Sequence, residues 1–121
     1  MKTLIIAIVS ILFSVAAQFS LKAGMSGAAL KATLAEPSTI RTVFAVLFDK
    51  YVFGGLALYA LGAMVWLAVL SKWDVSKAYP LVGLGFFFTA AVGFMMGEQV
   101  TPQRLVGVAL ICAGVFVVAR S

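Results

Sequence analysis

The chain has 121 residues, 64% of them hydrophobic and 11% charged, with a mean hydropathy of +1.14. A soluble domain is about 45–50% apolar and about 25% charged, and so short a chain has too much surface per volume to hide the excess. The composition therefore excludes a water-soluble fold and makes the bilayer the solvent. With no His, one Cys and four acidic residues, histidine catalysis and His/Cys metal clusters are excluded, and no cofactor is implied. The net charge of +5 is spread between apolar runs, where Lys and Arg reach for lipid headgroups rather than nucleic acid.

A spanning helix takes about 20 residues, so the chain predicts an all-α membrane protein, a single domain over residues 1–121 with four transmembrane helices. The first span covers about residues 3–22, between Lys2 and Lys22. Lys2, the apolar Leu4 to Phe13 and Val15-Ala16-Ala17 also fit a cleavable signal peptide. The rest of the chain is equally membrane-like, which favours retention as a helix. Between Ala23 and Lys50, Glu36-Pro37-Ser38 breaks the chain; Ile40, Val43, Phe44 and Leu47 then recur at helical spacing with Arg41, Thr42 and Asp49 off that face. This predicts a short amphipathic helix at the membrane surface, or an early start of the second span. The second span covers about 51–71, followed by a polar turn to Ser76 containing Lys72, Trp73 and Asp74. The third covers about 77–97, with Pro80 in its first turn, where a missing amide hydrogen costs little. Glu98 to Gln103, including Thr101-Pro102, forms the last turn before a fourth span over about 104–120. Tyr51 and Trp73 fall at opposite interfaces, where aromatic belts form.

Alternating spans put Lys2, Lys72, Lys77 and Arg120 on one side of the membrane and Lys22, Lys31, Arg41, Lys50 and Arg104 on the other. Four cations against five barely set an orientation. Insertion in both directions, and pairing with an inverted copy to build an inverted repeat, stay open.

Ser10, Ser14, Gln18 and Lys22 are spaced by four and keep near one face of the first helix. They serve either as interhelical hydrogen-bond partners or as a polar groove ending in a cation suited to a phosphate. At the start of the third span, Lys77 and Tyr79 precede Gly83 and Gly85, which reads as an anion-favouring helix start or as a belt tyrosine. Glu98 stands near a membrane boundary with Arg104 six residues on, either as a titrating group or as a solvated or paired one. None of the four spans carries Asp or Glu in its core, so a central proton-exchanging carboxylate is missing. The pairs Gly93/Gly97 and Gly107/Gly114 support close helix packing, the latter in a dimer or within one protomer.

The segments together resemble a known family. Gln18 and Lys22 in the first span, Met64-Val65-Trp66-Leu67 with Val69-Leu70 in the second, Ala78-Tyr79-Pro80-Leu81 in the third, and Glu98 through Pro102 to Gly107 resemble the small four-helix branch of the drug/metabolite transporter superfamily. Within it they are most similar to the aminoarabinose-phosphoundecaprenol flippase subunits. Gly107-Val108-Ala109-Leu110-Ile111 to Gly114-Val115 also resembles the last helix of the small multidrug resistance exporters. Those exporters carry an essential Glu in the first helix, at the position of Ser14 here; the flippase branch lacks it and has Gln and Lys at the places of Gln18 and Lys22. The segment between Ala23 and Lys50 is longer than in that branch, and Arg104 is shifted by one.

The resemblance implies a small multidrug resistance-like fold and a multi-pass transporter of the bacterial inner membrane, not an enzyme. It would move a polyprenyl-phosphate-linked sugar or related anionic lipid between leaflets, as a homodimer, with an antiparallel arrangement open to it, or as a heterodimer with a related small subunit. The candidate substrate-binding residues are Ser14, Gln18, Lys22, Lys77, Tyr79, Glu98 and Arg104, with the three cations as phosphate partners. A multidrug-type exporter of cationic or small polar solutes and a non-transporting assembly subunit are the alternatives.

Overall fold

The computed structural model describes residues 1–35 and 39–121, and the break expected at Glu36-Pro37-Ser38 lies outside the described residues. Among the described residues seven α-helices follow in order: α1 (Lys2–Met25), α2 (Ala28–Leu34), α3 (Thr39–Phe48), α4 (Lys50–Leu70), α5 (Val75–Ala78), α6 (Leu84–Met95) and α7 (Pro102–Arg120); a 3₁₀ segment, Tyr79–Gly83, joins α5 to α6. Four stretches, Lys2–Met25, Lys50–Leu70, Val75–Met95 and Pro102–Arg120, are long and apolar enough to cross a membrane. The protein is therefore an all-α membrane protein built on four spans.

α1 and α4 run antiparallel and form the principal interface. Ser10 Oγ donates to the carbonyl of Gly62 at 2.7 Å, and Ser20 Oγ donates to the carbonyl of Tyr51 at 2.6 Å. Glycines let the two backbones approach. A Cβ on Gly24 would lie 2.6 Å from Asp49 Oδ1 and from Val52 Cγ2, and one on Gly55 would lie 2.8 Å from Leu21 Cδ2. This is the small-residue packing that membrane helices use when no hydrophobic force draws them together.

The buried core, Ala7, Ile11, Val15, Val69, Ala78, Leu81 and Val115, sits toward one end of the bundle. That end carries both termini and the turn after α4; it is called the terminal end, and the opposite one, with α2 and α3, the insert end. α7 packs along α6 and against the 3₁₀ segment at Gly83, where a Cβ would lie 2.9 Å from Ile111 Cγ2 and 3.0 Å from Val115 Cγ2. Otherwise α7 is peripheral, and Val115 is its one buried residue.

Several boundaries differ from the sequence expectation, each for a local reason. The third span starts earlier, with Asp74 at its N-cap, and Pro80 lies in the 3₁₀ segment rather than in the first turn of a continuous helix. Proline has no N–H for an i→i−4 bond and crowds the carbonyl four residues back; the 3₁₀ turn accommodates both. Thr101-Pro102, expected in a loop, begins α7: Thr101 Oγ1 accepts from the Arg104 N–H at 3.1 Å, and Pro102 takes the first turn. This is a side-chain cap followed by a preorganised proline. Asp49, expected off the face of the amphipathic helix, caps α4 by accepting from the N–H groups of Tyr51 and Val52. It separates α3 from α4, so α3 is a helix of its own and not an early start of the second span. α2 was not expected at all.

The glycine pairs also separate. Gly93 is buried beneath Glu98, whose Oε1 would be 2.8 Å from an added Cβ, whereas Gly97 takes φ +90°. Gly97 is the left-handed residue that closes α6, with the Glu98 N–H donating to the Gly93 carbonyl at 2.8 Å and the Gly97 N–H to that of Phe94 at 3.2 Å, a Schellman cap. A Cβ on Gly107 or Gly114 would meet nothing within 4 Å, so neither serves packing inside the protomer.

Gly24→Ala should loosen the α1–α4 contact by about 1–3 kcal/mol, lowering the thermal unfolding midpoint in detergent. Gly54→Ala, where a Cβ has only an ordinary 3.8 Å contact with Ser20 Oγ, should leave it nearly unchanged.

Candidate functional site

Three spans enclose a cavity of about 550 Å³, within the range of about 300–1,000 Å³ common for ligand sites. Each contributes one stripe with the i, i+3, i+4, i+7 spacing that keeps side chains on a single helix face. α1 presents Ile11, Ser14, Val15 and Gln18, α4 presents Tyr59, Gly62, Ala63 and Trp66, and the third span presents Val82, Gly85, Phe86 and Thr89, with Ser10 and Tyr79 completing the wall. Ile11 and Val15 of the core form part of its wall. Gln18, Tyr79 and Phe86 are exposed at the rim, so the cavity opens sideways between the spans.

Its polarity comes from neutral groups. Gln18 Nε2 donates to Tyr59 Oη, joining α1 to α4 at the polar end of the cavity. Ser10 is buried, and its hydroxyl is committed to the Gly62 carbonyl. Thr89 Oγ1 donates to the carbonyl of Gly85 at 2.6 Å, the bond by which a hydroxyl in a membrane helix satisfies itself locally. Trp66, Tyr59, Tyr79 and Phe86 supply aromatic faces. No lining residue carries a charge. The arrangement suits a hydroxyl-bearing ring, which aromatic faces can cover while hydroxyl and amide groups exchange hydrogen bonds with it. A bare phosphate in it would be unpaired, at large cost.

Of the seven candidate residues, Ser14, Gln18 and Tyr79 line the cavity, and Lys22, Lys77, Glu98 and Arg104 do not. Lys22 follows Gln18 by one turn on α1, about 6 Å along the axis, and is exposed at the insert end. Arg104 is at the same end; its Nη1 donates to the carbonyl of Gln99 at 2.8 Å. Glu98 folds back over Gly93 as part of the α6 cap. Lys77 is at the terminal end, with Nζ 4.6 Å from the centre of the Trp73 ring, a cation–π contact. Lys22 and Arg104 are thus separated from Lys77 by the thickness of the bundle, and the three do not form one anion site. Tyr59 and Thr89 were missed. Both are readable as stripe positions: Tyr59 precedes Trp66 by seven residues and Thr89 follows Val82 by seven.

The chain is 41% identical over 83 residues, 68% of its length and 73% of the relative's, to a protein of Pseudomonas savastanoi pv. phaseolicola named probable 4-amino-4-deoxy-L-arabinose-phosphoundecaprenol flippase subunit ArnE. It belongs to the family of aminoarabinose-phosphoundecaprenol flippase subunits. Within that family it is also 37% identical over 79 residues to the ArnE protein of Pseudomonas syringae pv. syringae, covering 64% of this chain and 71% of the relative. To the subunit named ArnF of Sodalis glossinidius it is 38% identical over 68 residues, 54% of this chain and 52% of that one. No family model matches the chain. No solved structure matches it either.

Removing the Gln18–Tyr59 bond should be felt as coupling between α1 and α4. A double-mutant cycle of Gln18→Leu and Tyr59→Phe, read by unfolding in detergent, should give about 0.6 kcal/mol and at most about 1.7 kcal/mol, the range of hydrogen bonds between membrane helices.

Proposed function

We propose that this chain is one subunit of an inner-membrane flippase that carries a polyprenyl-phosphate-linked amino sugar between leaflets. The substrate class is the one for which its relatives are named, 4-amino-4-deoxy-L-arabinose-phosphoundecaprenol. The observation that carries this reading is the laterally open, uncharged cavity with aromatic and hydroxyl walls. A sugar ring enters it from the side, Ser14, Gln18, Tyr59 and Tyr79 exchange hydrogen bonds with the ring hydroxyls, and Trp66 covers an apolar face. The ring's ammonium gains from the same aromatic faces. The polyprenyl tail never leaves hydrocarbon.

The phosphate follows the ring outside the cavity. At the insert end Lys22 and Arg104 receive it, and at the terminal end Lys77 does, so each leaflet has a cationic station and no charge is stranded unpaired at either end. Glu98 acts on this path through the α6 cap, holding the turn that carries Arg104. No bond in the substrate is made or broken; the chain acts as a carrier. The cavity lining has no carboxylate, so it offers no group to exchange a proton against a hydrophobic cation, which disfavours the multidrug reading.

One protomer supplies half of a path. α7 leaves Leu105, Val106, Leu110, Phe116 and Val117 exposed, and with Gly107 and Gly114 open it presents a face for a second small subunit. The relatives carry two distinct subunit names, which supports a heterodimer with a related chain over a homodimer.

Transport is testable in proteoliposomes by labelling the sugar amine with a membrane-impermeant amine reagent, with this chain alone and with its related subunit. Lys22→Gln should slow translocation roughly ten- to hundredfold, the loss of one charge-assisted hydrogen bond, with assembly by size exclusion unchanged. Unaltered transport by that variant removes Lys22 from the path. Trp66→Leu should weaken competition by the soluble amino sugar, and an unaffected Trp66→Leu would move the sugar site out of the cavity.

A further inference from the structure

α3 buries none of its residues. Ile40, Val43, Phe44, Leu47 and Phe48 are all exposed, and the Phe44 and Phe48 rings stack with centroids 6.1 Å apart. The first four of these have the i, i+3, i+4, i+7 spacing and form one apolar stripe. The half-buried Thr42, Ala45 and Val46 fall on the other side, and α3 packs chiefly against α2 and α4.

Two further facts say what covers the stripe. The first is depth. Asp49 alone separates α3 from Lys50, the first residue of α4, so α3 lies at the level where a membrane span begins. At 10 residues it is about 15 Å long, half of what crossing requires. The second is charge. Lys31 in the last turn of α2, Arg41 on α3 and Lys50 at the start of α4 are all exposed. Asp49, the acidic residue of the described insert, spends its Oδ1 on the N–H groups of Tyr51 and Val52. A basic amphipathic helix held at that depth is complementary to anionic headgroups above an acyl layer. A second copy of the same surface would meet it with like charge.

We propose that α3, with Lys31, Arg41 and Lys50, is an anchor for anionic phospholipid that holds the insert end of the bundle at the more anionic, cytoplasmic leaflet. It also sets the orientation of the chain. Of the five cations at the insert end, these three leave only Lys22 and Arg104 when removed, against Lys2, Lys72, Lys77 and Arg120 at the terminal end. The small excess is then reversed, and basic residues near short loops are those retained on the cytoplasmic side.

The test uses the full chain with Cys112→Ala, a single cysteine at Phe44 and a spin label on it, in nanodiscs of phosphatidylcholine with or without phosphatidylglycerol. The label should be accessible to oxygen and shielded from a water-soluble nickel chelate. Enrichment of spin-labelled phosphatidylglycerol around the protein should fall about fivefold for each cation removed in K31Q, R41Q and K50Q, and should persist in the charge-conserving K31R/R41K/K50R protein, which controls for folding. In spheroplasts an impermeant maleimide should label Ser121→Cys in the wild-type background, and that labelling should drop in K31Q/R41Q/K50Q. A label at Phe44 that meets the nickel chelate freely overturns the proposal, as do dipolar coupling between Phe44 labels of two copies, lipid enrichment indifferent to the charges, or an unchanged orientation of the triple variant.

Discussion

Within hydrocarbon no water is at hand for a hydroxyl, an amide or a phenol, so each polar side chain of a span has to find its partner in protein. Here that requirement is met where α1 lies against α4. Ser10 and Ser20 reach carbonyls of the neighbouring helix, and Gln18 reaches Tyr59. Those bonds form only because Gly24, Gly55 and Gly62 bring the backbones together, at distances a side chain on Gly24 or Gly55 would violate. The third span then leans on α1 through the core, and the space left between the three at mid-height of the bundle is the cavity.

The division of labour along the bundle follows from this. The cavity shares Ile11 and Val15 with the apolar core and sets Ser10, Ser14 and Gln18 beside them on α1, with exposed lining residues leaving it open at the side. The 3₁₀ segment forced by Pro80 lies beside it, with Tyr79 at the rim. Charges are confined to the two ends because a charge in the cavity would stay unpaired. The proposed carriage of a lipid-linked sugar rests on this arrangement, a neutral wall of aromatic and hydroxyl groups with cations beyond both of its ends. α7, with one buried residue, contributes little to this wall and much to the outer surface.

Much of the fold was legible because the bilayer imposes a length and a composition on every span. The four apolar runs, the missing central carboxylate and the amphipathic stripe of α3 are all periodicity or composition. The misses were local chemistry that hydropathy does not weigh. Hydropathy puts Thr101-Pro102 in a turn although Thr followed by Pro is a helix start, Asp49 is a cap, and Gly97 closes a helix instead of packing one. The site was half legible. Ser14 and Gln18 stood out as polar residues in an apolar run, whereas Tyr59, Trp66 and Thr89 converge on them only because three helices turn matching stripes inward.

By itself the sequence determined that the chain lives in a membrane, that it spans four times, and that it has no histidine and no carboxylate in the core of a span, since these depend only on which residues are present and at what intervals. Tertiary structure decided which of the polar residues meet. It joined Ser14, Gln18 and Tyr79 with Tyr59 and Trp66 around one space, and it parted Lys77 from Lys22 and Arg104. The reason is geometric: a helix fixes the face on which a side chain stands, but the face that becomes a wall is chosen by how closely neighbouring backbones can approach, and here glycines on α1, α4 and the third span make that choice.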